Sequence, residues 1–327
     1  MAASKPSVVP GPPPRAGYGT PGPHIWKPTA QQKVLLWGAV ASLSYGLWGF
    51  LDKLASSENI YVTNLLLYGT AFAISLAGLR QRRGPSLVLI LSGLSGGAIN
   101  VLALIAMQRQ HLVLVYPFVS FGSVVFLLLA FFVLRVQVRA TRPRVFWGGV
   151  ATTLAGLVIC GLGLSGGIRA IDWNAIDQAS IALGGLISLA TGLWIFLAYY
   201  GLTRQNYSPL TATTWVFFGS FLLAVVLAAL SPGALASFRS GPELLLPVVA
   251  GGAMFLGEYA TYSALDTAPE QTSGLQQTLA VFLSNSELIP IILLSYLFLH
   301  ERTVEGLIGS VVVLAGLLTI NAVSSLE

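Results

Sequence analysis

The chain has 327 residues, 55% of them hydrophobic and only 9% charged, with a mean hydropathy of +0.78 and a formal charge of +5. Soluble domains are roughly a quarter charged, so a water-soluble globular fold is excluded. The positive balance comes from Lys and Arg between apolar runs and requires no nucleic acid, which needs a basic face on a folded surface.

The first 32 residues carry Pro10, Pro12, Pro13, Pro14, Pro21, Pro23 and Pro28 among small and polar residues, without a signal-type apolar core. They read as a disordered tail. Apolar runs of about 20 residues then recur to the end, the length a helix needs to cross the hydrocarbon core. They predict helices over 33–52, 62–80, 86–107, 112–134, 144–164, 179–203, 211–230, 243–265, 272–299 and 303–323. The runs are continuously apolar rather than alternating, which selects helices over a barrel as the spanning structure. Cys160, the one cysteine, lies inside an apolar run. A disulfide within the chain and a thiolate metal cluster are both excluded.

Orientation follows from Lys and Arg, which cytoplasmic loops retain. With the N-terminus inside, twelve basic residues fall on the cytoplasmic side and five, among them Lys53 and Arg302, on the other. Both termini are therefore expected in the cytoplasm and the helix count is expected to be even. Compact loops suit the inner membrane of a bacterium.

An internal repeat sets the expected architecture. GAVASLSYGLWGFL (38–51) aligns without gaps on GGLISLATGLWIFL (184–197), with eight of fourteen positions identical. GGVATTLAGL (148–157) corresponds to IGSVVVLAGL (308–317), and Gly96-Gly97-Ala98 more weakly to Gly251-Gly252-Ala253. Chance likeness between apolar segments is the competing explanation, and the shared Trp and Gly/Ser spacing speak against it. Five helices per half is an odd number, so the second half enters the membrane from the opposite side. The expected fold is an all-α membrane protein of ten transmembrane helices in two inverted five-helix repeats, 33–178 and 179–327, the arrangement many secondary transporters use to enclose a site near the midplane.

The stretch LLSYLFLHERTVEGLIGSVVVLAGL (293–317), with SALDTAPEQTSGL (263–275) and SELIP (286–290) upstream, resembles the EamA-like branch of the drug/metabolite transporter superfamily over about 33–323. The resemblance implies the same ten-helix inverted fold and transport of a small metabolite. The first half departs from the pattern with LRVQVRATRPR (134–144) in place of a Glu-Arg turn, and Glu287 stands three residues before Pro290 rather than beside it. The family's role for that acid does not transfer on this basis.

Glu258 and Glu287 are expected well inside helices eight and nine, where an ionisable group costs a few kcal/mol unless protonated, paired or wetted. Helical spacing puts Gly251, Glu258, Thr261 and Tyr262 on one stripe and Gln277, Ser284 and Glu287, with Asn285 beside them, on another. Such stripes fit a cavity, and interhelical hydrogen bonding that only holds the bundle together is the competing account, a stronger one for the neutral residues than for the glutamates. Asn100 in helix three is a further cavity candidate on the same terms. No Lys or Arg is expected inside any span, so at least one glutamate is expected to hold its proton until substrate or water arrives. The glutamates would bind a cationic substrate group or exchange a proton, and phosphorylated substrates, which need Arg or Lys, are disfavoured. Gly38, Ser42 and Gly46, matched by Gly184, Ser188 and Gly192, predict close helix packing. Trp48 and Trp194 continue those stripes, as gates or stacking surfaces on opposite sides of the midplane, or as ordinary packing. His300, Glu301 and Arg302 read as a structural turn, with Thr303 as N-cap.

Three scattered histidines make no metal site, and no cofactor is expected. An intramembrane enzyme would need a nucleophile with its base, metal ligands or a phosphate-gripping loop, none of which accompanies the glutamates. A secondary transporter of an amino acid, amine or related solute, with proton-coupled efflux as one mode, is the expected function; a flippase of the same fold is the alternative. The expected partners are a small-molecule substrate and the lipid bilayer, with monomer and homodimer both open.

Overall fold

A computed structural model describes residues 29–56, 59–80, 84–134, 138–140, 142–164, 178–231, 233, 244–267, 286–301 and 303–326. Ten α-helices follow one another within them. These are α1 (Ala30–Ala55), α2 (Ile60–Ser75, continued by a 3-10 turn Leu76–Arg80), α3 (Leu87–Arg109), α4 (Leu112–Leu134) and α5 (Pro143–Leu164). Then come α6 (Gln178–Thr203), α7 (Pro209–Leu230), α8 (Leu245–Thr267), α9 (Leu288–Leu294, continued by a π-helical turn Ser295–Leu299) and α10 (Val304–Val323). Three residues at Val138–Ala140 (β1) pair antiparallel with Ser324–Leu326 (β2), tying the α4–α5 connection to the end of the chain. Six helices, α1 and α3 to α7, are long and apolar enough to cross a membrane, and α2, α9 and α10 are apolar but shorter. The chain is a helical integral membrane protein.

Capping chemistry moves several helix starts earlier than apolarity alone implies. Thr29 accepts from the Gln32 N–H while the Gln32 side chain accepts from the Thr29 N–H, so α1 begins at Ala30 and takes in the last residues assigned to the tail. Asn59 accepts from Tyr61 and Val62 and opens α2, and Ser208 with Pro209 at the first helical position opens α7. At its other end α1 runs to Ala55, so Asp52 and Lys53 sit in the last turns of the helix rather than in a loop. Of the helix expected over 272–299, residues 272–285 lie outside the described residues.

Helices from the two sequence halves pack on one another. The most extensive contacts are α5 on α10, α1 on α8, α4 on α6, α3 on α7 and α6, and α2 on α7 and α8, with α9 laid along α1. Small residues permit the closest of these. Gly149 faces the Gly316 carbonyl and Gly156 the Gly309 carbonyl, so α5 and α10 run antiparallel backbone to backbone. The Gly/Ser stripes pack as their spacing predicts: Gly46 lies against the Pro290 ring, Gly184 against the Phe118 ring, and Gly192 against Gly122 and Val125. Ser188 donates to the Phe118 carbonyl at 2.7 Å. Leu43, Leu186, Leu189, Val158, Phe132 and Leu307 are exposed on the outside, as lipid-facing positions of a bundle are.

A buried carboxylate locks the two halves at one end. Glu301, in the turn between α9 and α10, accepts from the Leu112 N–H at 3.1 Å and the Val113 N–H at 3.4 Å and thereby caps α4. Lys53 Nζ lies 3.9 Å from the same carboxylate and donates to the Met107 and Gln110 carbonyls at the end of α3, at 2.6 and 2.7 Å. These bonds give Glu301 a structural role, whereas Thr303 precedes α10 without its hydroxyl making the expected cap bond and Arg302 lies outside the described residues. Glu301→Ala is expected to destabilise the protein by about 1–2 kcal/mol, read as a lower unfolding midpoint in detergent.

Candidate functional site

An internal cavity of about 60 Å³ opens between α1, α4, α6, α8 and the start of α9. Its walls are aromatic and acidic: Tyr45 and Trp48 from α1, Trp194 and Tyr199 from α6, Glu258 and Tyr262 from α8, and Glu287 before α9. Among the described residues, none of its lining side chains is basic. Glu258 is 1% exposed, and both of its oxygens are held. Tyr45 Oη donates to one at 2.7 Å, and Tyr262 Oη, one turn along the same helix, donates to the other. Thr261 Oγ1 approaches Tyr45 Oη at 3.5 Å and gives its own proton to the Gly257 carbonyl. The Trp194 indole N–H also faces Glu258 without closing a hydrogen bond.

Tyr45 can reach across because α8 offers no side chain at Gly257, where a Cβ would stand 2.9 Å from the Tyr45 ring. That glycine lets α1 and α8 approach, and the approach is what brings the phenol to the carboxyl. Glu287 is 6% exposed and accepts from Ser120 Oγ of α4 at 3.3 Å. It occupies the N-cap position of α9 rather than the interior of a helix, a correction to its expected place. Pro290 gave the available signal, since proline is accommodated in a first helical turn and not in a helix interior.

Of the sequence candidates, Glu258, Tyr262, Glu287, Trp48 and Trp194 meet at this cavity. The two tryptophans wall the same space rather than separate ends, with the Tyr45 ring 6.1 Å from Trp48 and 6.4 Å from Trp194 in edge contacts. Gly251 leaves its expected stripe and packs on Leu67 and Thr70 of α2. Asn100 is not a cavity residue: it is fully buried between helices and donates to Asn64 Oδ1 at 3.0 Å. Gln277, Ser284 and Asn285 lie outside the described residues. Tyr45 and Asp52 were not singled out by sequence. Tyr45, Trp48 and Asp52 share one helical face by their spacing of three, four and seven, which is the signal that could have found them.

Chemically the cavity presents two carboxyls, several phenols and indole faces. That set can hold a positive charge or pass a proton. Among the described residues no group of three or more His, Cys, Asp or Glu gathers as a metal site. Fold and site together define a helical membrane protein with an acidic, aromatic-walled internal cavity.

No family model and no curated protein matches the chain. Its fold is shared with solved structures. One, described only as the crystal structure of a protein, superposes over 88% of this chain and 95% of its own, with a TM-score of 0.59 at 15% sequence identity. At that identity the likeness establishes the fold alone.

Proposed function

We propose that the protein is a secondary transporter of the EamA-like, drug/metabolite transporter type, carrying a small cationic or zwitterionic solute such as an amine or amino acid by alternating access. The observation that carries this reading is the cavity: two buried carboxyls and a ring of aromatic side chains, contributed by helices from both sequence halves, with no basic residue among the described lining to neutralise them. A solute ammonium meets Glu258 and Glu287 there, and aromatic faces attract the same charge.

The inverted-repeat reading draws support from the helix contacts. Exchanging each helix for the one five places along turns α1–α8 into α6–α3, α2–α8 into α7–α3, and α1–α9 into α6–α4, while α5–α10 and α2–α7 map onto themselves. In the aligned segments Gly149 corresponds to Gly309 and Gly156 to Gly316. Each glycine meets the counterpart of the other across the antiparallel α5–α10 contact, as a two-fold axis lying in the membrane plane requires. Ten crossings in two inverted halves, with both termini cytoplasmic in a bacterial inner membrane, is the topology we infer.

The test is uptake and efflux of a panel of amines, amino acids and sugars in reconstituted vesicles, with and without a pH gradient, for the wild type and Glu287→Gln. Saturable amine or amino-acid flux that the variant reduces at least tenfold is the expected result. Flux restricted to anionic or uncharged solutes would overturn the cationic reading, and movement of labelled lipid between leaflets without solute flux would favour a flippase.

A further inference from the structure

A second polar cluster lies behind Trp48, outside the cavity. Asp52, one turn further along α1, is 0% exposed, and neither of its carboxyl oxygens has a hydrogen-bond partner. The Trp48 indole N–H and the Asn100 side-chain oxygen are likewise buried and unpartnered. Both residues stand beside the Asp52 carboxyl. Asn100 spends one amide N–H on Asn64, and Asn64 spends one on the Ile60 carbonyl at 2.8 Å.

The titratable groups facing Asp52 from the helices around it are Tyr68 of α2 and Tyr116 of α4. Tyr68 Oη gives its proton to the Gly96 carbonyl at 2.9 Å, and the Tyr116 ring stands 6.3 Å from Trp48. Lys53, next in the chain, spends its ammonium on the Met107 and Gln110 carbonyls and on Glu301. No cation among the described residues meets the Asp52 carboxyl.

The cluster therefore holds three oxygens short of a donor and one N–H short of an acceptor. A proton placed on Asp52 and donated to the Asn100 oxygen turns two unpartnered acceptors into a donor and its acceptor, while the Trp48 N–H stands beside the carboxyl without closing a bond. A metal ion fits worse, because a hard cation takes about six oxygens and would sit against the indole N–H. We propose that Asp52 is a proton-binding site distinct from the solute cavity, its protonation state sensed by Trp48, which lines that cavity and stands beside the carboxyl. The proton is exchanged with water when the cluster opens, leaving a carboxylate that a dry pocket does not tolerate. Loss of the proton thus places a charge beside a wall of the cavity, and the site couples proton occupancy to solute passage. The coupling rests on the transport reading above; the proton site does not.

The experiment uses the full chain in lipid bilayers. Infrared difference spectra, recorded from mildly acid to mildly alkaline pH, are expected to show a protonated-carboxyl C=O band that is lost in Asp52→Asn and retained in Glu258→Gln and Glu287→Gln. Tryptophan fluorescence is expected to change in step with that band, and Trp48→Phe to abolish the change. Asn100→Ala, a second variant should Asp52→Asn fail to fold, is expected to shift the frequency of the band by removing the acceptor of its O–H. With radiolabelled phenethylamine as probe, Asp52→Asn is expected to retain exchange between the two faces and to lose accumulation driven by a pH gradient. Absence of the band, a signal that follows sodium rather than pH, or intact accumulation in Asp52→Asn would each overturn the proposal. Absence of phenethylamine flux in the wild type counts against the transport reading for that solute, and the infrared band still decides the proton site.

Discussion

Glu258→Gln is expected to reduce solute flux by about a hundredfold or more while leaving the protein folded. The carboxyl accepts from two phenols, one of α1 and one of its own helix, so its charge is oriented rather than exposed. A glutamine keeps the shape and supplies one oxygen and one amide nitrogen. Tyr45 or Tyr262 can turn its hydroxyl to accept from that nitrogen, so the hydrogen-bond network survives and stability changes little. What disappears is the negative charge that this carboxyl, held by two phenols, offers a cationic solute beside Glu287, a loss of about 2–5 kcal/mol when one partner of a desolvated charge pair is removed. Tyr262→Phe, which removes one donor and no charge, is expected to cost about tenfold. The comparison is made by initial flux of a radiolabelled amine at several concentrations, normalised to folded protein. Flux unchanged in Glu258→Gln would make this carboxyl a structural tie between α1 and α8 and leave Glu287 to carry the charge.

Depth in the membrane was more legible in the sequence than direction around a helix. Glu258, Glu287, Trp48, Trp194 and Tyr262 stand out because each interrupts or ends an apolar or small-residue stripe, and all five reach the cavity. Asn100 is equally buried, but the polar residues of α3 do not share one partner: Ser92 and Ser95 donate to carbonyls of α6 while Asn100 joins Asn64 of α2. Asp52 escaped notice for a different reason. Beside Lys53 it reads as the charged edge of a span, yet α1 continues to Ala55 and turns the two side chains to different partners, the lysine to the carbonyls ending α3 and the aspartate into the bundle. Tyr45 was invisible because its role depends on the glycine opposite it on another helix, a pairing that no single helix records. Caps were legible and underused: Thr29 with Gln32, Asn59, and Ser208 with Pro209 each mark a helix start.

Gly156→Leu and Gly316→Leu are expected to prevent folding alike, and this likeness is the sharper test of the repeat. At Gly156 a Cβ would stand 2.6 Å from the Val313 backbone nitrogen and 2.7 Å from the Gly309 carbonyl. At Gly316 it would stand 2.6 Å from the Thr153 nitrogen and 2.7 Å from the Gly149 carbonyl. Backbone cannot yield as a side chain does, so a leucine forces the helices apart and forfeits their whole contact, more than the roughly 1–3 kcal/mol of an ordinary overpacked core. Gly148, on the same helix as Gly156, is the internal control, since a Cβ there would meet nothing within 4 Å. Gly148→Leu adds an apolar side chain on the exposed face and is expected to change nothing. Yield of monodisperse protein and its unfolding midpoint in detergent measure all three. Equal failure at Gly156 and Gly316 is what a two-fold relation demands, because each glycine sees the same neighbours from the other half. A large difference between them would mean that the α5–α10 contact is not built symmetrically, and the inverted-repeat reading would lose its strongest support.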